Sequence, residues 1–91
     1  MTKTIYKYAL STEDTQLIDM PRHAQVLTVQ TQRGEPQLWA LVDPHAELET
    51  RKFYTYGTGH PIDAGNLMDH VGTYQLRDGQ FVFHVFAEVP E

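Results

Sequence analysis

At 91 residues, with 41% hydrophobic and 21% charged side chains, the chain is long enough for one folded domain over residues 1–91 and too apolar to be disordered. Seven Lys and Arg against twelve Asp and Glu leave a formal net charge of −5, which argues against a protein that coats DNA or RNA through a basic face. The lack of cysteine excludes disulfides, thiol chemistry and Cys-ligated zinc, while no apolar run approaches the roughly 18 residues of a spanning helix and the opening MTKTIYKYAL has no signal-peptide core; a cytoplasmic, non-membrane protein is expected.

Hydrophobic alternation at period two dominates the chain. Thr4 to Leu10 is rich in β-branched and aromatic residues and predicts a first strand, followed by the polar turn Ser11–Asp14. Gln16 to Met20 predicts a short second strand closed by Pro21, which cannot donate to a ladder. Gln25 to Thr31 predicts a third, and Gln32-Arg33-Gly34-Glu35 a hairpin turn with glycine at positive φ. The return strand Gln37 to Asp43 is apolar on both faces around Trp39, as a central strand would be. Asp43 to Thr50 reads as a connection holding one helical turn, with Asp43 as its cap and Pro44 at the first helical position. Arg51 to Gly57 predicts the fifth strand. Gly57 to His70 then gives fourteen residues with glycine or proline at four positions and little periodicity. Val71 to Leu76 and Gln80 to Phe86 predict the last two strands, joined through Asp78-Gly79. About seven short strands with little helix imply an all-β fold, a small antiparallel sandwich or barrel.

Chemistry concentrates in Tyr56-Gly57-Thr58-Gly59-His60-Pro61. Glycines on both sides of Thr58 would let backbone N–H groups converge on a phosphate or carboxylate, with the Thr58 hydroxyl and the His60 imidazole beside them. The same glycines also serve a plain wide turn. Arg51 and Lys52, at the start of the preceding strand, are candidate cations, and Arg22 and His23 are possible auxiliary donors.

His23, His45, His60, His70 and His84 are scattered without metal-ligand spacing, so no metal and no cofactor is expected. His84 stands out because strand alternation places it with Val82 and Phe86 on one face, opposite Phe81, Phe83 and Val85. Either a hydrogen-bonded structural histidine or a ligand contact fits that position. Ser11 is the only serine, in a polar turn with no histidine nearby in sequence, and no pair of carboxylates stands out for acid–base work, so the chain does not read as an enzyme. Tyr6 and Tyr8 share one strand face, as do Tyr54 and Tyr56; such pairs pack across strands or stack on a base. Strands apolar on both faces predict a homo-oligomer that covers the excess.

The blocks Ile5-Tyr6-Lys7-Tyr8, Leu38 to Pro44, Tyr56 to Pro61, Gly72-Thr73 and Phe83-His84-Val85-Phe86 resemble a family of small phage and prophage proteins described as a domain of unknown function. The resemblance implies a short protein made in the cytoplasm of a bacterial host. The function expected from it is non-enzymatic anti-defence: a sponge for a small anionic, nucleotide-like immune signal, bound by Arg51, Tyr54, Tyr56, Gly57, Thr58, Gly59, His60 and His84. The alternative is an acidic module that blocks a host defence or regulatory protein.

Overall fold

The structure is a computed structural model that describes residues 2–63, 65 and 68–89. Seven strands run antiparallel to their neighbours: β1 (Thr4–Ala9), β2 (Thr15–Pro21), β3 (Gln25–Gln32), β4 (Glu35–Val42), β5 (Leu48–Gly57), β6 (Met68–Leu76) and β7 (Phe81–Glu88). They form two sheets, one ordered β1-β4-β3 and the other β2-β5-β7-β6. The fold is therefore a small all-β sandwich. Its shortest extent, 16 Å, fits two backbone layers at the spacing of about 10 Å that interdigitating side chains set.

Alternation builds the core directly. Leu38, Ala40 and Val42 on β4 point inward with Val29 of β3, and meet Met20, Phe53, Val85, Ala87 and Tyr74 of the other sheet. Trp39 and Leu41, the intervening residues of β4, stay half-buried on the outer side, as expected for the central strand of a three-stranded layer.

Several local expectations need correction; β6, for one, begins at Met68 rather than Val71, because Met68 to His70 already pair with Glu88 to Phe86. No helical turn follows Asp43. Its carboxylate accepts from the His45 amide at 3.0 Å and its carbonyl from the Ala46 amide at 3.1 Å, so the capping chemistry closes a turn. The chain then extends because Leu48 to Thr50 already pair with Pro21 to Asp19, which starts β5 three residues early. Pro21 ends β2 from within the ladder. And β7 continues to Glu88 because Ala87 is paired on both sides, with Phe53 and Asp69. Both hairpins use positive φ at non-glycine positions as well: Arg33 (53°) with Gly34 (79°), and Arg77 (53°) and Asp78 (55°) with Gly79 (88°). Two adjacent positive φ values give the backbone twist that tight hairpins need.

The two sheets approach each other most closely where β6 crosses β3. A Cβ placed on Gly72 would lie 3.2 Å from Val29 Cβ and 3.3 Å from both the Val29 amide nitrogen and carbonyl oxygen. Each strand carries a bulge beside this contact, at Leu27 in β3 and Val71 in β6. For Gly72→Ala, strand propensity favours alanine by about 0.5–1 kcal/mol. Crowding against a fixed backbone costs about 1–3 kcal/mol and wins. Urea denaturation should show Gly72→Ala less stable than the wild type; an equal or higher midpoint would remove the close crossing.

Candidate functional site

The outer face of the four-stranded sheet gathers the chemistry. Register places Tyr56 beside His84 and His84 beside Thr73 on one rung, and Tyr54 beside Phe86 and Phe86 beside His70 on the next. Phe86 is the hub of the aromatic part: Tyr56 meets it edge-on at 5.8 Å and 76°, and His70 at 5.2 Å and 64°. The Tyr56 hydroxyl reaches Met68 Sδ at 3.8 Å, which steadies the far end of its ring.

A polar row lies alongside. His84 Nε2 is 2.8 Å from Thr58 Oγ1, and His84 Nδ1 is 2.9 Å from Thr73 Oγ1. Thr73 Oγ1 is also 3.2 Å from His70 Nε2. One hydroxyl has one proton, so when Thr73 donates to one imidazole it accepts from the other, and the tautomers of His70 and His84 are coupled. Both His84 nitrogens are held by hydroxyls, which fixes the ring plane. Of the two readings open for His84, it is thus a hydrogen-bonded residue that also remains half-exposed on an open face.

Charge is sparse there. Lys52 Nζ sits 5.2 Å over the Tyr54 ring, and the Tyr54 hydroxyl donates to Glu88 Oε2 at 2.9 Å. That hydrogen bond raises the Tyr54 pKa, burial adds to it, and the Lys52 ammonium works in the opposite direction.

The glycine loop closes as a turn. The His60 amide donates to the Gly57 carbonyl at 3.1 Å, and Gly59 at φ 87° occupies the position that requires positive φ. The Thr58 amide donates to the Val82 carbonyl at 3.3 Å. The amides of Thr58 and His60 are thus consumed internally, and the expected cradle of converging N–H groups does not form from them. Gly57 has another use. A Cβ there would stand 3.1 Å from His60 Cε1, so the missing side chain lets the imidazole fold back over the strand end. His60 then lines a cleft of about 270 Å3 with Asp14, Thr15, Tyr54, Tyr56 and Pro61. That is near the lower limit of about 300 Å3 for small-molecule sites, enough for one ring or headgroup.

Of the residues expected from sequence, Tyr54, Tyr56, Thr58 and His84 share this face, with Gly57, Gly59 and His60 at its edge. Arg51 does not join them. Strand alternation sends it to the opposite side of β5 from Tyr54 and Tyr56, where Nη1 donates to the Ala24 carbonyl at 3.1 Å and lies 3.9 Å from Glu49 Oε1. Lys52, a candidate cation from the sequence, does share this face, whereas Phe86, His70, Thr73 and Met68 are not marked as site residues by the sequence. Phe86 was findable, because it shares a strand face with His84. His70 and Thr73 were not: three apart, they would face opposite ways in a regular strand, and only the bulge at Val71 brings both to one side. Among the described residues no cluster of three or more His, Asp or Glu could hold a metal ion, and no helix is long and apolar enough to cross a membrane.

A family model described as a domain of unknown function (DUF7352) matches residues 1–91. The chain belongs to this family. The match spans the whole sequence, including every strand that builds the outer face and both glycines of the turn. No curated protein and no solved structure matches the chain.

Proposed function

We propose that this domain is a non-enzymatic binding protein that captures a small, nucleotide-like anion on the outer face of its four-stranded sheet. In this reading it is a phage-type anti-defence sponge acting in the cytoplasm of the host. The observation that carries it is the juxtaposition of stacking rings (Tyr56, Phe86, His70) with a hydroxyl–imidazole row (Thr58, His84, Thr73) on adjacent rungs. The rings offer π-faces to a base, and the one donor that the row's internal hydrogen bonds leave over, a hydroxyl or an imidazole N–H, meets a ribose or phosphate oxygen. Lys52, 5.2 Å over the Tyr54 ring, supplies the positive charge, in place of Arg51 and the backbone amides.

A second reading is an acidic module that docks on a host protein. Asp14 and Glu88 at the margins of the face, and Leu17, 66% exposed on the neighbouring strand, favour it.

Retention of candidate signals separates the two. The protein is incubated with cyclic dinucleotides and cyclised ADP-ribose, freed of unbound ligand, heated, and the supernatant analysed by chromatography. Intact nucleotide in the supernatant is the expected result. A shortened product would make the protein an enzyme, and no retention would transfer support to a protein partner.

A further inference from the structure

Four strands terminate the two sheets, β1 and β3 in one and β2 and β6 in the other. Sheet edges carry unpaired N–H and C=O groups and are normally guarded against pairing by bulges, prolines or charges. Three of these edges have such guards. β3 and β6 are interrupted by their bulges at Leu27 and Val71, and β2 bears Asp19 and ends on Pro21. β1 has none of them. Thr4 to Ala9 pairs with β4 residue for residue, without a bulge, and contains no proline, glycine or acid. Its one lysine does not overhang the edge either, because Lys7 Nζ is drawn back across β4 to donate to Gln32 Oε1 at 2.8 Å. Ile5 is 56% exposed and Tyr6 41% exposed on this open strand.

We propose that β1 is a self-association edge: two copies of the chain pair their β1 strands antiparallel about a two-fold axis at Tyr6, joining two three-stranded sheets into one of six. The sequence of the strand selects both the partner and the register. A two-fold perpendicular to the sheet keeps the core-facing sides of both copies on one side, so each residue faces one of equal parity. Centring at Lys7 sets Lys7 against its own copy. Centring at Ile5 sets Lys7 against Lys3. Centring at Tyr6 avoids both repulsions and pairs Tyr6 with Tyr6, Ile5 with Lys7, and Thr4 with Tyr8. The Tyr6 and Tyr8 rings, already edge-on at 6.5 Å and 66°, become half of a four-ring row across the axis. On the outer face Ile5 lies beside Leu41 and Lys7 beside Trp39. There the base of the Lys7 stem in one copy, whose head stays on Gln32, lies directly opposite the exposed Ile5 of the other. This assembly leaves the ring-and-imidazole face of the other sheet open, so it stands or falls separately from the binding reading.

Sedimentation velocity on the full chain over a concentration series tests the assembly, and disulfide trapping tests its register, since the chain has no cysteine of its own. The wild type should sediment as a dimer at high concentration, and Tyr6→Lys, with an unchanged circular dichroism spectrum, should weaken dimerisation by about tenfold or more. Under mild oxidation Tyr6→Cys should cross-link to a covalent dimer and Lys7→Cys should not, because the two-fold sets residue 6 against itself and residue 7 against residue 5. A wild type that stays monomeric throughout overturns the proposal. So does a dimer that survives Tyr6→Lys unweakened, or cross-linking at Lys7→Cys in preference to Tyr6→Cys. If Tyr6→Lys fails to fold, the two cysteine variants decide.

Discussion

Phe53→Ala is expected to lower the unfolding free energy by about 3–5 kcal/mol, the cost of the lost transfer energy plus the cavity left behind. A domain of this length has only about 5–14 kcal/mol in total, so the variant should sit near its folding limit at room temperature. Phe53 is the position for it because its side chain is fully buried and its strand pairs on both sides, with Gln16 of β2 and Ala87 of β7. No rearrangement of an exposed loop can fill the space it leaves. Urea denaturation followed by circular dichroism gives the value; a loss below about 1 kcal/mol would mean that Phe53 is not in a packed interior.

Phe86→Ala should weaken retention of a bound nucleotide by roughly 5- to 150-fold, from the about 1–3 kcal/mol that an aromatic–base stack contributes. Tyr56→Ala should act in the same direction, since the two rings meet edge-on and each orients the other. Both lie on the outer face, half-exposed, so truncation there costs the core little. Arg51→Ala is the contrasting variant. It removes the hydrogen bond to the Ala24 carbonyl and should reduce stability while retention stays at the wild-type level. Equilibrium dialysis against the nucleotide retained by the wild type measures all three. If Arg51→Ala loses retention and Phe86→Ala keeps it, the site lies on the inner side of β5 and the assignment made here fails.

The positions of the strands were legible in the sequence to within a few residues because alternation is a local signal. Phe81, Phe83 and Val85 opposite Val82, His84 and Phe86 is the pattern found in β7. The errors have local causes as well. Asp43-Pro44 carries helix-start chemistry, but one aspartate can satisfy the amide of a turn as readily as that of a helix, and the pairing of Leu48 with Pro21 decided between them. The glycines at 57 and 59 fit either a cradle for an anion or a plain wide turn, and the turn is what forms. One allows positive φ in that turn, and the other makes room for the His60 ring. Arg51 was grouped with Tyr54 and Tyr56 by proximity in sequence, although the alternation that paired those two tyrosines already sends Arg51 to the other side.

By itself the sequence determined an all-β domain, the two faces of each regular strand and the turn residues of both hairpins. Each of these depends on the φ preferences and the side-chain period of a few consecutive residues. Only the tertiary structure decided that β7 inserts between β5 and β6, that Phe86 stands between Tyr56 and His70, and that a bulge turns His70 and Thr73 toward the same imidazole. Strand partners are chosen by packing between residues far apart in the chain. A single inserted residue reverses the parity of everything beyond it, so no local pattern could have placed that row of rings and hydroxyls on one face.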